Sequence, residues 1–185
     1  MNYLEYENIM IVDLEATCCN RNSIHRNDME TIEIGAVMVD RKTLSVIDEY
    51  QTFIKPLIHP KLTSFCTELT SITQSDVEGA QEFPKAFQEF VDWSEGYEDI
   101  VFCSWGQYDK NQFIKDCNYH GIEYSLKADH INLKKQFSIN LNLRRNYGMA
   151  GALRYAGLKM NGTHHRGIDD ARNMARLLPT MLGEN

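Results

Sequence analysis

Asp13 and Glu15 stand two residues apart at the end of an apolar run, "IMIVDLEATCC". Alternate residues of a strand point to one face, so these two carboxylates share a side and Leu14 takes the other. Acids held that close beside Ile11 and Val12 repel each other and resist burial, and a hard divalent cation relieves both problems. A strand end with both acids hydrated is the plain alternative, and D-x-E alone does not separate the two. Further acids must.

The segment "GTHHRGIDDARNMARLL" contributes one. On a wheel of about 100° per residue, Ile168, Ala171, Met174, Ala175, Leu177, Leu178, Met181 and Leu182 fall on one half. Asp170 lies inside that half. Asp169 sits opposite with Arg172, Asn173 and Arg176, as an ordinary solvated acid three residues before a cation. A carboxylate on an apolar face needs a hydrogen-bonded partner or a metal, which makes Asp170 the ligand candidate. His165, five residues earlier in a glycine-flanked loop, suits proton transfer beside it, and His164 is the contrast, a surface histidine without a task. Asp109, in "VFCSWGQYDKNQF", falls in the first turn of a helix after a buried strand, where the helix dipole favours negative charge. It shares a face with Phe113 and Cys117, although Lys110 lies in the same arc.

These acids must be positioned by elements far apart in the chain. Strands are expected over Ile9–Leu14, Thr31–Val39 and Ser45–Ile54, with a hairpin turn at Asp40–Thr43. Helical spacing starts at Phe83, Phe87, Phe90 and Val91, with Pro84 in a tolerated first-turn position. A buried strand over Asp99–Ser104 leads into a helix from about Gln107 to Tyr119 that Gly121 can cap. Ile131 and Leu133 suggest a last strand, and helix follows, ending in Ile168–Leu182. That order predicts a mixed sheet flanked by helices.

The 185 residues suit one compact domain, 1–185, and 43% apolar with 24% charged residues is ordinary globular composition. No apolar run reaches membrane-span length and the first residues lack a signal pattern, so a soluble, cytoplasmic protein is expected. Five cysteines without a C-x-x-C pair argue against a disulfide framework and a structural zinc site. A net charge of −7 excludes a broad nucleic-acid-coating surface but not a small cleft that binds a few nucleotides around metal ions. Lys134, Lys135, Arg144 and Arg145 are the basic clusters of the C-terminal half. They are either a guide for a nucleic-acid strand or a solvated helix face.

Taken in order, "DLEAT", "SWGQYD" and "HHRGIDDARN" resemble the DEDDh class of 3′→5′ exonucleases, and within it the Eri-type group. "ETIEIGAV" and "GMAGALRYAGL" resemble that group's connecting segments, so the likeness runs from about Ile9 to Leu178. The resemblance implies an RNase H-like α/β fold: a mixed central sheet flanked by helices in a single domain. It implies metal-binding acids at Asp13, Glu15, Asp109 and Asp170, a general base at His165, and two Mg²⁺ ions with Mn²⁺ able to substitute. Asp13 would bridge both ions, Glu15 and Asp170 would hold the one that binds the attacking water, and Asp109 would act directly or through water. It further implies that Glu15, Ala16 and Thr17 meet the terminal nucleotide, with Leu14 and Trp105 as stacking surfaces and His165 nearby. Trp105 could equally be core packing. Arg166 is either a phosphate contact or a solvated loop residue, and Glu33 is expected only to hydrogen-bond within the core.

The expected activity is removal of nucleoside 5′-monophosphates from the 3′ end of RNA, single-stranded or overhanging. A DNA-directed 3′→5′ exonuclease would share all five residues, and a non-catalytic nucleic-acid-binding regulator would be expected to lack one of them. A phosphatase acting on small esters is a weaker alternative. The partner expected is thus a nucleic acid with a free 3′ end, RNA before DNA, and no membrane.

Overall fold

The computed structural model describes residues 5–20 and 23–183. Three antiparallel strands come first: β1 (Asn8–Ala16), β2 (Thr31–Asp40) and β3 (Ser45–Lys55). Asp40 closes the turn between β2 and β3, its Oδ1 accepting from both the backbone N–H and the hydroxyl of Thr43. A two-residue strand, β4 (Gln81–Glu82), lies parallel to β3 at one edge. On the other side β5 (Ile100–Ser104) runs parallel to β1, and β6 (Asp129–Asn132) parallel to β5. The sheet order is β4-β3-β2-β1-β5-β6.

Helices cover both faces, which explains why β1 and β2 read as nearly continuous apolar runs. Met10, Val12 and Leu14 of β1 face α3 (Phe83–Glu95) and α4 (Tyr108–His120), where Phe87, Phe90 and Phe113 fill the core. Ile9 and Ile11 face the opposite layer with Val37 and Val39. That layer holds α5 (Leu133–Asn140), α6 (Met149–Tyr155), α7 (Gly167–Ala175) and α8 (Leu178–Leu182). This is the single-domain RNase H-like arrangement that the motifs implied. By the period of two, Asp13 and Glu15 belong to the face that α7 covers.

Several expectations shift. Leu133 opens α5 rather than continuing β6. The last helix is two: α7 ends at Ala175 and α8 begins at Leu178, with Pro179 in its first turn, because proline lacks the N–H that an unbroken helix needs there. Between β3 and β4, α1 (Ser64–Thr70) and α2 (Gln74–Glu78) were not expected. They are fixed by caps rather than by periodicity: Thr63 accepts the Cys66 N–H, and Thr73 and Asp76 form a capping box. None of the five cysteines forms a disulfide. Among the described residues no helix is long and apolar enough to cross a membrane.

Candidate active site

The site begins where two glycines meet. Asp13 pairs with Gly35 across β1 and β2, and a Cβ on Gly35 would lie 2.0 Å from the Ile168 nitrogen and 2.1 Å from the Gly167 carbonyl carbon. A Cβ on Gly167 would lie 2.8 Å from the Asp13 carbonyl oxygen. Only bare backbone lets the first turn of α7 settle onto the strands at this depth. The contact brings Asp170 against β1, and one carboxylate oxygen each from Asp13, Glu15 and Asp170 lie within 4.8 Å of one another.

Glu33 secures that junction. Fully buried, it pairs with Glu15 across the strands and accepts from the Gly167 N–H at 3.0 Å, Arg166 Nε at 3.2 Å and Gln51 Nε2 at 2.6 Å. Arg166, which also lies over the Phe53 ring, pairs with the buried Glu33 and is therefore not a solvated loop residue. Glu33 does hydrogen-bond within the core, as expected, and its partners also make it the clamp on the loop that carries the histidines.

Asp109 arrives from the other layer. Gly106, with φ 151°, turns the chain from β5 into α4, and Asp109 follows in the first turn. Its Oδ1 accepts the Leu14 N–H at 3.1 Å, so it is anchored to β1 between Asp13 and Glu15. It stands outside the tight trio and is the strongest negative neighbour of Asp13.

His165 adopts φ 63°, a left-handed conformation uncommon for a side-chain-bearing residue and frequent at functional sites. Its N–H donates to Asp170 Oδ2 at 3.0 Å. His164 is not the idle neighbour expected from spacing: its Nδ1 lies 3.0 Å from the same oxygen, and its ring stacks on that of His165 at 4.0 Å. The loop 156–166 folds back over the side of α7 that the wheel assigned to solvent. Asn173 is accordingly buried and clamps Asn161, its Nδ2 donating to Asn161 O at 2.7 Å. Asp169 pairs with Arg172 at 3.0 Å as expected, and also accepts the Thr163 N–H at 2.8 Å.

Four carboxylates in one cleft without a counter-charge are expensive in their ionised form. Burial first, then the charges of Asp109, Glu15 and Asp170, holds Asp13 well above the usual carboxylate range. Burial and Asp170 push Glu15 up to about 9. Burial lifts Asp109 to about 6 against the Leu14 N–H, and lifts Asp170 against its contact with His164. Burial and the neighbouring His164 lower His165, against the opposing pull of Asp170. Among the described residues no Lys or Arg lines the cleft of about 350 Å³. Clustered hard oxygen donors with raised proton affinity, and no Lys or Arg beside them among the described residues, fit divalent metal ions.

The remaining predicted residues divide. Leu14, Glu15, Ala16, Trp105 and His165 line the cleft. Trp105 packs as core and also walls the cleft: its indole N–H donates to Tyr147 O at 3.1 Å and its ring packs on Phe137. Thr17 does not line it. Its hydroxyl accepts the Glu30 N–H at 2.9 Å and its own N–H donates to Glu30 O, so it braces the end of β1. Cys18, Met29, Leu69, Tyr108 and Met149 line the cleft as well, and sequence reasoning missed them. Tyr108, directly before Asp109 at a helix start, had a positional signal; the others acquire their place only through the fold.

Comparison with known proteins gives a consistent result. Residues 10–178 match the RNase_T family, described as Exonuclease. The chain is 30% identical over 187 residues to ERI1 exoribonuclease 3 of Mus musculus, covering 95% of this chain and 54% of that protein. It is 30% identical over 188 residues to the 3'-5' exoribonuclease 1 of Homo sapiens, covering 96% and 53%. The chain thus spans about half the length of the curated relatives it matches. Among solved structures, the nuclease domain of 3'hExo, a DEDDh family member bound to rAMP, superposes with a TM-score of 0.89 at 28% identity, covering 97% of this chain and 94% of that one. A 3′-exonuclease in 3′-end-specific recognition of a histone mRNA stem-loop gives 0.89 at 26% identity, covering 100% and 67%.

Proposed function

The chain belongs to the exonuclease family, and from that premise we propose that it is a metal-dependent 3′→5′ exonuclease that removes nucleoside 5′-monophosphates from single-stranded or overhanging RNA ends. One observation carries the reading: carboxylates from β1, α4 and α7 converge on one cleft, lined by no Lys or Arg among the described residues, and a stacked histidine pair adjoins Asp170. The preference for RNA draws further support from the exoribonucleases to which the chain is similar.

Asp13, Glu15 and Asp170 would hold two Mg²⁺, with Mn²⁺ able to substitute, and Asp109 would assist directly or through water. When bound, such a pair of ions neutralises phosphate charge and lowers the pKa of the attacking water. The chain's own residues do the rest. His165, kept neutral by its surroundings, accepts the proton of the attacking water at an imidazole nitrogen, a contribution of about 10²–10⁴-fold. Its backbone N–H stays on Asp170, which fixes its distance from the cleft. Leu14 and Trp105 offer apolar faces to the terminal base, where stacking contributes about 1–3 kcal/mol per base. The backbone at Glu15 and Ala16 meets the terminal sugar.

The test is gel-resolved digestion of matched 5′-labelled RNA and DNA with Mg²⁺, Mn²⁺ or chelator. A ladder shortening from the 3′ end, faster on RNA and abolished by chelator, is expected. Internal cuts, or turnover in chelator, would overturn the reading; a faster ladder on DNA would reverse the RNA assignment alone.

A further inference from the structure

An exonuclease whose cleft carries four carboxylates must hold a polyanion against its own charge until the cut is made. The chain has a surface suited to that. Residues 130–168 contain seven of its 19 Lys and Arg and none of its 26 Asp and Glu. In a chain of net charge −7 this is a pronounced separation of sign. Of those seven, Arg166 is committed to Glu33, whereas Lys134, Lys135, Arg144, Arg145, Arg154 and Lys159 make no ion pair among the described residues.

Three of the six converge. One hollow on the surface is lined by Lys135, Arg144 and Arg145 with the amides of Asn142 and Asn146. A second, which shares Lys135 and Ile139 with it, is lined by His130, Asn132 and Gln136. Neither contains a carboxylate, and Ile139 between them is 58% exposed. The first hollow is joined to the acid cleft by a short wall. The Arg145 guanidinium lies 5.1 Å from the centre of the Tyr147 ring, Tyr147 O accepts the Trp105 indole N–H, and both Trp105 and Met149 line the cleft. Met149 follows Arg145 by four positions, at most about 14 Å of chain. Cations interleaved with an aromatic and amides, free of acids, are the usual footprint of a nucleic-acid backbone.

The geometry points to a track for the RNA upstream of the cut, in which Lys135, Arg144 and Arg145 hold backbone phosphates while the 3′ nucleotide occupies the acid cleft. This rests on the exonuclease reading for the identity of the strand. It predicts that substrates long enough to span from cleft to track bind better than dinucleotides.

The experiment separates the two ideas by reading binding without turnover. A fluorescent single-stranded oligoribonucleotide of about ten residues is titrated in chelator over a range of salt, against wild type, Lys135→Ala/Arg144→Ala/Arg145→Ala, and the charge-keeping Lys135→Arg/Arg144→Lys/Arg145→Lys. Each phosphate contact to a single strand contributes about 0.7 to the slope of log K against log salt, so the alanine variant should lose about 2 from that slope and bind at least tenfold more weakly in low salt. The charge-keeping variant should retain most of both. In Mg²⁺, the loss in kcat/KM should be several-fold greater on the decamer than on a dinucleotide. An unchanged slope in the alanine variant, an equal loss in the charge-keeping variant, or equal losses on both lengths would overturn the track. If the triple variant fails to melt with wild type, Arg144→Ala and Arg145→Ala are measured singly, each expected to remove about 0.7 from the slope. Wild type that binds with the expected slope yet does not shorten RNA would sink the exonuclease reading and leave the track. A ladder that is unaffected by the alanine variant would do the reverse.

Discussion

Asp13 and His165 belong to one cleft, yet their removal should have unequal consequences. Asp13 lies at the centre of the carboxylates and is the acid that the others crowd most. Its replacement by alanine would remove a proposed metal ligand, and we expect turnover of a labelled oligonucleotide to vanish. His165→Ala removes only the proton acceptor and should leave a residual rate about 10²–10⁴-fold below wild type; equal residual rates would contradict this division of labour. Glu33 calls for a different measurement. Glu33→Ala leaves the Gly167 N–H and the Arg166 guanidinium without their acceptor, and breaking such a buried pair costs about 3–5 kcal/mol. Urea denaturation should record a loss near that range, with Glu33→Gln losing less. Asp170 was legible from its place on a helical wheel, whereas Asp13 and Glu15 were only suggested by spacing and Asp109, an ordinary first-turn acid, joined them through the resemblance of the ordered motifs. Glu33 and His164 were not legible, since what they do depends on partners brought in by the fold: Gly167 lies 134 residues from Glu33.

At the scale of elements, the junction between α7 and β2 governs the site. Adding a single methyl at Gly35 would drive it into the backbone of Gly167 and Ile168, which cannot swing aside as a flexible side chain can. Overpacking of this kind costs about 1–3 kcal/mol. We expect Gly35→Ala to lower the melting temperature and, by displacing Asp170, to weaken Mn²⁺ binding measured by calorimetry. Retained Mn²⁺ affinity would mean that the trio does not depend on this approach. The chain order of β1, β2, β3, β5 and β6 and of the helices α3 and α4 was readable, because apolar periods mark them and Gly121 closes α4 where expected, with φ 64°, whereas the two-residue β4 gave no signal. The helices α1 and α2 were not readable, because seven and five residues give too little period to register. The break between α7 and α8 had a signal in Pro179, but the apolar stripe running through it outweighed that signal.

For the molecule as a whole, the cleft makes stability depend on pH and on metal together. Glu15, raised to about 9, and Asp13, raised well above the usual range, keep protons in the folded protein that the unfolded chain releases near pH 4. A carboxyl whose folded pKa lies above its unfolded value loses stability as pH rises between the two, by about 1.4 kcal/mol per unit for each proton retained. Between pH 7 and 9 the metal-free protein should therefore weaken, while Mg²⁺ takes over the role of the protons. The Cys66 thiol, held down to about 7, titrates in the same window with the opposite sign, so the readout is the difference in melting temperature with and without Mg²⁺. That difference should widen with pH, and Glu15→Gln should narrow it. The fold also sets a schedule. The trio joins Asp13 and Glu15, near the beginning of the chain, to Asp170, near its end. A polypeptide still emerging from the ribosome has its first sheet strands long before it has the third acid of the trio. The cluster of acids is therefore complete only once Asp170 has been made, 155 residues after Glu15.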